Sequence, residues 1–323
     1  MQYTQLGRSG AKVSRLALGT MNFGWHTAEQ ASQAIMDAAL DAGVNFFDTA
    51  DIYGAGASES ILGRWFAAEA SRRDKVVLAT KLYIPLAEGP NTGGLSAVHI
   101  RQACEASLRR LGTDHIDLYQ FHHIDRTTPW EEIWEATERL VRDGKVIYVG
   151  SSNFAGWDLA AAQETAKARH FLGLATEQSI YNLLERTIEL EVLPAARHYG
   201  IGLLPWSPLA GGLLAGAAAK AGRRGDNSAM LGHSAREQRI ADNLTRLQAY
   251  EDLAAELELS PTVLALAWLL SRPGVTAPVL GPRTVEQLTG SFPALDVTVE
   301  PQTLARLDEL FPGPGEAPDA YTW

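Results

Sequence analysis

Short apolar segments of strand length alternate with helical segments along most of this chain, and this alternation limits the possible folds more than any other feature. Strands that alternate with helices usually form a parallel sheet, because each helix carries the chain back to the starting edge. Eight such units are typical of a (β/α)8 barrel. The predicted strands are residues 16–18, 44–47, 76–80, 116–120, 146–149, 174–177, 201–205 and 277–280.

We therefore predict an α/β fold, a TIM barrel formed by residues 1–323 as a single domain. The first residues predict a β-hairpin that turns at residues 7–10. Three segments fit neither the strand nor the helix period: residues 84–95, 210–234 and 312–323. We expect them to be extended loops at the C-terminal face of the barrel, where such folds place recognition.

Local signals predict several element boundaries. Residues 27–30 and 128–131 have the spacing of helix capping boxes. Ser260 predicts the N-cap of the helix that follows it, and residues 185–199 are expected to be helical. Pro278 is unfavourable inside the eighth strand, because proline cannot donate a hydrogen bond to a sheet ladder.

The charge of the chain favours a small-molecule partner. Its 38 acidic and 28 basic residues give a formal net charge of −10, whereas nucleic acids and anionic membranes attract a basic surface. The chain has no apolar run long enough to span a bilayer and no apolar signal-peptide core near its N-terminus. We therefore expect a cytoplasmic protein with no nucleic-acid or membrane partner; an oligomer is compatible with the sequence.

Cysteine usage supports the same expectation. The single cysteine, Cys104, cannot form an internal disulfide, and no Cys/His spacing in the chain resembles a metal site. A reducing compartment fits this composition.

Four titratable residues end or follow successive predicted strands: Asp48, Tyr53, Lys81 and His122. The C-terminal ends of barrel strands meet at one rim, so these side chains should lie close together. Reduction of a carbonyl needs a proton for the developing alkoxide, and a free phenol with a pKa of about 10 is a poor donor at neutral pH. We expect Lys81, oriented by Asp48, to stabilise the phenolate of Tyr53. His122 would hydrogen-bond the substrate oxygen.

Each of these residues alone also has an ordinary structural interpretation, such as a solvated lysine at a strand end or a packed tyrosine. Two neighbours compete for the same roles. His123 lies beside His122, and alternation along a strand points only one of the two into the site. Asp51 competes in the same way with Asp48.

Short motifs spread over nearly the whole chain resemble those of the aldo-keto reductases. They are GTMNFG, DTADIYG, TKLY, SLRRLGTDHIDLYQFH, GSSNF, WSPLAGG and GPRT. The resemblance implies an oxidoreductase that reduces a carbonyl with NADPH, with hydride supplied by nicotinamide and no metal. It implies a catalytic tetrad of Asp48, Tyr53, Lys81 and His122. The family spacing favours His122 over His123 and Asp48 over Asp51.

The resemblance also implies where the cofactor binds. No G-x-G-x-x-G motif follows a predicted strand, so a Rossmann site is not expected; aldo-keto reductases instead hold NADPH or NADP+ extended across the barrel mouth. Ser152, Asn153 and Gln178 resemble the set that holds the carboxamide, and Trp206 the ring that stacks on nicotinamide. The matching positions are Gly19, Thr20, Met21, Ser152, Asn153, Gln178, Trp206, Ser207, Pro208, Leu209, Gly211, Gly281, Arg283 and Gln287.

The adenosine end of the cofactor would lie near Gly281. Arg283 is the candidate for a 2′-phosphate, because its planar guanidinium can form two charge-assisted hydrogen bonds with one phosphate. Many relatives carry an acidic residue and Asn shortly afterwards, where this chain has Gly290 and Ser291. We therefore expect weaker adenine contacts than in those relatives.

The predicted substrate is a small-molecule carbonyl compound: an aldehyde, a ketone or a keto-sugar. The predicted pocket residues are Met21, Trp25, Tyr83 and His123, and Tyr321 and Trp323 are candidates for a lid over them. The segments GLSAVHI and WSPLAGGLL resemble the branch that contains bacterial sugar-type ketoreductases and potassium-channel β subunits. This resemblance implies an alternative function, a nicotinamide-sensing regulatory subunit with incidental turnover.

Overall fold

A computed structural model describes residues 1–219, 233–315, 317 and 319–322, and it contains the eight parallel strands that the sequence predicts. The N-terminal hairpin pairs β1 (Tyr3–Gln5) with β2 (Lys12–Ser14). The barrel strands are β3 (Ala17–Gly19), β4 (Phe46–Asp48), β5 (Val77–Leu82), β6 (Ile116–Phe121), β7 (Val146–Ser152), β8 (Leu174–Gln178), β9 (Gly202–Leu203) and β10 (Val279–Leu280).

The sheet closes on itself. Each strand from β3 to β9 is bonded to the next, and β10 is bonded to β3. The two remaining edges are joined because the N–H of Thr276 donates to the carbonyl of Leu203 at 2.8 Å and the N–H of Val279 donates to Pro205 at 2.8 Å. The predicted TIM barrel is confirmed.

Helices follow the strands around the outside of this barrel. The buried faces of these helices pack against the strands, and together they form the larger hydrophobic cluster of the protein. The helices are α1 (Glu29–Asp41), α2 (Ala57–Ala68), α3 (Ser71–Asp74), α4 (Ala97–Leu111), α5 (Trp130–Arg142), α6 (Gly156–Ala168), α7 (Val192–Tyr199), α8 (His233–Glu256), α9 (Pro261–Ser271), α10 (Val285–Thr289), α11 (Pro301–Leu310) and α12 (Asp319–Thr322).

The barrel interior changes from apolar to polar toward the C-terminal ends of the strands. A second hydrophobic cluster, which includes Phe46, Ala79 and Leu118, fills its centre. Two positions further along the same strands, on the same face, lie Asp48, Lys81 and Gln120. Together with Gln178 of β8 they form a layer, here called the polar layer, in which every residue is at most 3% exposed.

Two predicted helix starts are wrong. The N-cap of α1 is Ala28, which has no side-chain cap, because the backbone of Thr27 is held in the preceding loop by Asn22 and Gly24. The N-cap of α5 is Pro129, and the hydroxyl of Thr128 instead donates to Asp125 at 2.8 Å. In contrast, the prediction for Ser260 is confirmed, since its hydroxyl accepts the N–H of Val263.

Other boundaries also differ from the expectation. The helix expected over residues 185–199 is a single 3-10 turn at Thr187–Glu189 followed by α7. Strand β10 begins only after Pro278, whose carbonyl accepts the N–H of Ala17 at 3.0 Å, so this proline donates nothing to the ladder.

The predicted loops are correct only in part. Residues 84–95 contain no helix or strand. Residues 220–232 of the predicted loop 210–234 lie outside the described residues. The last two residues of that predicted loop belong to α8, which begins at His233. The tail contains the helical turn α12. Helices α8 and α11 were not predicted from the sequence.

Among the described residues, no single helix is long and apolar enough to cross a bilayer. One pair of helices, Glu237–Glu256 and Pro261–Ser271, reaches that length and composition together, but the two meet at a bend of 89°. Within the same residues, no three metal-binding side chains come together as a metal site.

Candidate active site

The structure brings all four predicted tetrad residues to the C-terminal rim of the barrel. Asp48 is the last residue of β4, Lys81 lies in β5, and His122 directly follows β6. Tyr53 begins a 3-10 turn, Tyr53–Gly56, that returns from β4 over the rim. Because these strands are neighbours in the sheet, their ends converge on one site.

Lys81 is the centre of this group. Its ammonium is completely buried and donates to Asp48 Oδ1 at 2.5 Å, to the carbonyl of Thr49 at 2.9 Å and to the hydroxyl of Tyr53 at 3.2 Å. Burial by itself lowers the pKa of Lys81, but the negative charge of Asp48 and the contacts with Tyr53 raise it above the usual value. The lysine is therefore a cation at neutral pH.

The phenol of Tyr53 is protonated at neutral pH. Burial raises the pKa of Tyr53, and the charge of Lys81 lowers it without reversing the increase. The expected lowering effect of Lys81 on the pKa of Tyr53 is present, but the loss of solvation outweighs it. Tyr53 thus holds a proton beside a fixed cation, as a donor to an alkoxide requires.

His122 and His123 have different aromatic partners, although their own rings stack with centroids 5.3 Å apart. The ring of His122 meets Tyr53 edge to face with centroids 5.9 Å apart, whereas His123 packs against Tyr83 at 5.5 Å. Burial, the nearby charge of Lys81 and the neighbouring His123 lower the pKa of His122 to about 3. His122 is therefore a neutral imidazole at neutral pH, able to donate one hydrogen bond without carrying a charge.

Two glutamines that complete the polar layer bind the second oxygen of Asp48. The amide nitrogens of Gln120 and Gln178 both donate to Asp48 Oδ2 at 2.9 Å. The carboxylate therefore receives hydrogen bonds at both oxygens although it is only 1% exposed. Gln178 was predicted as a cofactor contact, whereas Gln120 was not predicted at all, because nothing local indicates a contact between residues 72 positions apart.

Asp51 is buried near the tetrad but does not replace Asp48 beside Lys81. Its Oδ1 has no hydrogen-bond partner among the described residues. Burial, followed by the charge of Glu59, raises the pKa of Asp51 to about 7, while Arg110 opposes this rise. Glu59 is itself fully buried and forms an ion pair with Arg110 at 2.6 Å.

Asp51 should make the protein less stable as the pH rises. A carboxyl group with a pKa of about 7 in the fold and about 4 when unfolded binds the proton more tightly in the fold, so stability falls between pH 4 and 7 and stays low above. We expect Asp51→Asn to raise the free energy of unfolding at pH 8, by up to roughly 4 kcal/mol, and to change it little at pH 4. Urea denaturation at both pH values measures this. Asp41→Asn, at an exposed site, controls for the lost charge, and an equal effect at both pH values would contradict the assignment.

The residues predicted to hold the carboxamide are linked to one another. The side-chain amide of Asn153 donates to the carbonyl of His122 at 3.1 Å and to the hydroxyl of Ser152 at 3.0 Å. Its oxygen accepts the indole N–H of Trp206 at 3.1 Å. Asn153 has a left-handed backbone with φ of 61°, a conformation that a non-glycine residue adopts at a cost and that is common at functional sites.

Glu177, which the sequence analysis missed, stabilises this turn from behind. Its carboxylate is fully buried and accepts the hydroxyls of Ser151 and Ser179 and the N–H of Phe154. Burial raises the pKa of Glu177 to about 7, although these hydrogen bonds act to lower it. The donors come from the ends of both β7 and β8, so Glu177 ties together the two segments that carry Asn153 and Gln178.

The segment after β9 also has unusual backbone geometry. Ser207, Ala210, Gly211 and Gly212 all have positive φ, between 52° and 90°. The hydroxyl of Ser207 accepts the N–H of Gly211, and its carbonyl accepts the side-chain amide of Asn182. Pro208 is buried, and Leu209 packs against the core. Local strain of this kind is retained where surrounding structure holds it, and often marks a ligand-binding loop.

The predicted adenosine end lies at the N-terminus of α10. Arg283 is half-buried, and its backbone N–H is bound by the side-chain oxygen of Gln287 at 2.8 Å. Gly281 is exposed, and its carbonyl accepts the amide of Asn22. The glutamine therefore shapes the turn that presents Arg283.

Thr20, one of the predicted cofactor contacts, has its side chain engaged within the protein. Thr20 is fully buried, and its hydroxyl contacts the carbonyl of Asp48 and the hydroxyl of Ser58. Its side chain is therefore committed to holding the end of β4. Gly19 is buried in β3, and a Cβ there would lie 2.8 Å from the carbonyl oxygen of Leu280, so only glycine allows β3 and β10 to approach.

Of the predicted pocket residues, Met21 and Tyr83 are half-buried, and Trp25 is 61% exposed and packed against His26. Tyr83 has a φ of 139°, and its carbonyl accepts the N–H of Gly94 from the loop 84–95. In the tail, the hydroxyl of Tyr321 donates to Glu191 at 3.3 Å. Trp323, the other candidate for a lid, lies outside the described residues.

Comparison with known proteins places this geometry in a family. The family model for "Aldo/keto reductase family" matches residues 15–311. An "Uncharacterized oxidoreductase YrpG" of Bacillus subtilis is 55% identical, with both chains covered completely. A "Probable voltage-gated potassium channel subunit beta" of rice (Oryza sativa) is 35% identical over 99% of this chain and 100% of its own. A "Versiconal hemiacetal acetate reductase" of Aspergillus parasiticus is 33% identical over 96% and 97% of the two chains.

Proposed function

The chain belongs to the aldo/keto reductase family, and from this premise we propose that it is an NADPH-dependent reductase of an aldehyde, ketone or keto-sugar. The observation that carries the proposal is the completely buried Lys81, hydrogen-bonded to both Asp48 and Tyr53. A buried cation beside a protonated phenol is suited to protonate an oxygen that becomes negative during the reaction.

We assign the proton transfer to Tyr53. As negative charge develops on the substrate oxygen, the Tyr53 hydroxyl gives up its proton and the ammonium of Lys81 stabilises the phenolate that remains. Asp48 keeps Lys81 in place. His122, neutral at this pH, donates a hydrogen bond to the same oxygen without adding a charge that would compete with Lys81.

The residues of the mouth fit a nicotinamide dinucleotide. Ser152, Asn153 and Gln178 offer amide and hydroxyl groups for the carboxamide, beside the indole of Trp206. We assign the pyrophosphate to the loop after β9 by the family resemblance. The N–H groups of Ala210 and Gly211 there donate to Ser207, and that of Gly212 donates to Leu209, so pyrophosphate binding would have to exchange hydrogen bonds within the loop. When bound, the cofactor supplies the hydride that reduces the carbonyl carbon.

The proposed pocket favours neutral, partly apolar carbonyl substrates. Met21, Trp25, Tyr83 and His123 supply aromatic and apolar surface with no fixed charge. Burial lowers the pKa of His123, so this residue is also neutral at neutral pH. We place the activity in the cytoplasm, in one domain formed by the whole chain.

A substrate panel tests the proposal. Purified protein is mixed with NADPH or NADH and with aldehydes, ketones and keto-sugars, and the loss of reduced-nicotinamide absorbance is recorded. We expect turnover of at least one class with NADPH. Tight NADPH binding with no turnover of any class would contradict the proposal.

Arg283 is expected to set the cofactor preference. We expect NADP(H) to bind more tightly than NAD(H), and Arg283→Ala to lose mainly this preference, by about 1 to 3 kcal/mol for hydrogen bonds to a charged phosphate. Quenching of Trp206 fluorescence by each cofactor measures the two affinities, and unchanged NAD(H) binding serves as the internal control. Equal affinities of the wild type for both cofactors would exclude this role.

A second function is favoured by the similarity to proteins named as potassium-channel β subunits. In that case the protein would sense the nicotinamide state and regulate a partner, with slow turnover as a side reaction. We favour the enzyme because the relative named as an oxidoreductase shares 55% of its residues, against 35% for the channel subunit of rice. The rates in the substrate panel separate the two functions: turnover that stays slow with every class of carbonyl compound would favour the regulatory subunit.

A further inference from the structure

Gln120 lies in the polar layer beside Asp48 and Lys81 of the proposed tetrad, and neither the proposed cofactor set nor the proposed pocket includes it. Its side-chain oxygen accepts the amide of Gln178 at 3.5 Å. It is completely buried in β6, two positions before His122, and faces Lys81 in the register of β5 and β6. On its other side, β7 has Gly150 at the same level. A Cβ on Gly150 would lie 2.3 Å from Thr176 Oγ1 and 3.1 Å from Gln120 Cγ. The interior is therefore shaped to hold this glutamine.

The amide of Gln120 meets the side of Asp48 that Lys81 does not use. Lys81 donates to Oδ1, and Gln120 and Gln178 donate to Oδ2. Gln178 also belongs to the carboxamide set of the proposed cofactor site, so its amide has a second task. Of the two glutamines, only Gln178 has a proposed role in cofactor binding, so the amide of Gln120 serves Asp48 alone.

We propose that Gln120 is a positioning residue that tunes the Tyr53 proton donor through Asp48; this inference rests on the proposed function. By donating to Oδ2, Gln120 draws negative charge away from Oδ1 and fixes the carboxylate plane. Asp48 then orients Lys81 without taking its proton, and the positive charge remains available to the phenolate of Tyr53.

The direction of the effect follows from the charges. Without the Gln120 donor, Asp48 becomes more basic, attracts the proton of Lys81 more strongly and exerts a larger negative field at Tyr53. Both changes raise the pKa of the phenol. A hydrogen bond to a charged group is worth enough to shift a coupled pKa by about one unit. A rise of about one unit in the pKa of Tyr53 makes it a weaker proton donor and corresponds to a loss in turnover of roughly tenfold.

The test compares Gln120→Met with Gln163→Met. Gln163 is a second buried glutamine, but it is bonded to the backbone of Leu174 at the opposite end of β8. Both variants lose the amide hydrogen bonds of a buried side chain, and only one of them touches Asp48. If Gln120→Met does not fold, Gln120→Leu, with a shorter and branched side chain of similar volume, replaces it.

Two measurements are made on each variant. The first is the titration of Tyr53 without cofactor, followed by ultraviolet difference absorption after a rapid pH jump and isolated by subtracting the same variant with Tyr53→Phe. The second is the pH profile of kcat, together with the Kd for NADPH. A second comparison introduces Gln120→Met into the Asp48→Asn variant.

We expect Gln120→Met to titrate Tyr53 about one pH unit higher and to lose roughly tenfold in kcat at neutral pH, with an NADPH Kd within about twofold of the wild type. Gln163→Met should lose stability only, and in the Asp48→Asn background Gln120→Met should shift nothing further. An unshifted Tyr53 titration in folded Gln120→Met would overturn the inference. Because this titration uses no cofactor or substrate, it decides the role of Gln120 even if the proposed reductase activity fails.

Discussion

Tyr53→Phe is expected to lower kcat by roughly 10²- to 10⁴-fold, the range assigned to general acid catalysis. The substitution removes only a hydroxyl that contacts Lys81 at 3.2 Å, so the ring and its packing against His122 remain. The fold and the affinity for NADPH should therefore survive. Steady-state reduction of the best substrate in the panel, with NADPH binding measured on the same protein, gives both values.

A matched control is available in the same barrel. Tyr119 of β6 is fully buried, and its hydroxyl has no hydrogen-bond partner among the described residues. Tyr119→Phe also removes one buried phenolic oxygen, but its ring belongs to the larger hydrophobic cluster and has no proposed chemical role, so this change should leave kcat unchanged. Near-normal turnover in Tyr53→Phe that still binds NADPH would overturn the proposed mechanism and favour the regulatory function.

The positions of three members of the proposed tetrad could be predicted because they depend on strand ends. Once strands alternate with helices, topology alone brings the C-terminal ends of β4, β5 and β6 together. Asp48, Lys81 and His122 stand at or beside those ends. Their convergence on the rim needed no knowledge of side-chain contacts.

The hydrogen bonds that hold Asp48 of the proposed tetrad could not be predicted in the same way. The contacts of Asp48 with Gln120 and Gln178 join residues 72 and 130 positions apart, and they depend on which residues face the barrel interior at one level. The same applies to Glu177, whose donors come from two strand ends. Local patterns describe helices and strands, not the polar contacts made across a closed sheet.

Burial also changed the expected electrostatics. The sequence correctly suggests that Lys81 lowers the pKa of Tyr53, but it does not show how much water the phenol loses, and that loss dominates. The two capping-box predictions were wrong because contacts outside the helix decide where it begins. Ser260 caps α9 because its hydroxyl needs only the N–H of Val263, three residues further along the chain. The backbone of Thr27 is instead hydrogen-bonded to Asn22 in the preceding loop, so α1 begins after Ala28.

Lys81→Met should damage catalysis as severely as Tyr53→Phe, or nearly so. Without the ammonium, burial raises the pKa of Tyr53 unopposed, and the phenolate that must form has no counter-charge. Asp48, buried to 99% of its surface, would keep its two amide donors but lose its cation, and breaking a buried ion pair costs about 3–5 kcal/mol of stability. We therefore expect both a large loss of kcat and a lower free energy of unfolding, measured by urea denaturation.

The control for this variant is Lys145→Met, which breaks a surface ion pair with Glu105. Exposed pairs contribute about 0–1 kcal/mol, so this change should affect neither kcat nor stability appreciably. If Lys81→Met retained kcat, the ammonium would have no part in proton transfer.

The double variant Tyr53→Phe/Lys81→Met separates one shared function from two independent ones. If Lys81 acts only through the phenol, its removal has nothing left to impair once the hydroxyl is absent, because residues that act as a unit are not additive. The kcat of the double variant should then lie within about threefold of the slower single variant, a coupling that independent roles would not produce. A further loss in the double variant, multiplying the two single effects, would show that Lys81 also acts directly on the substrate or cofactor, and the assignment of Tyr53 as its sole target would be wrong.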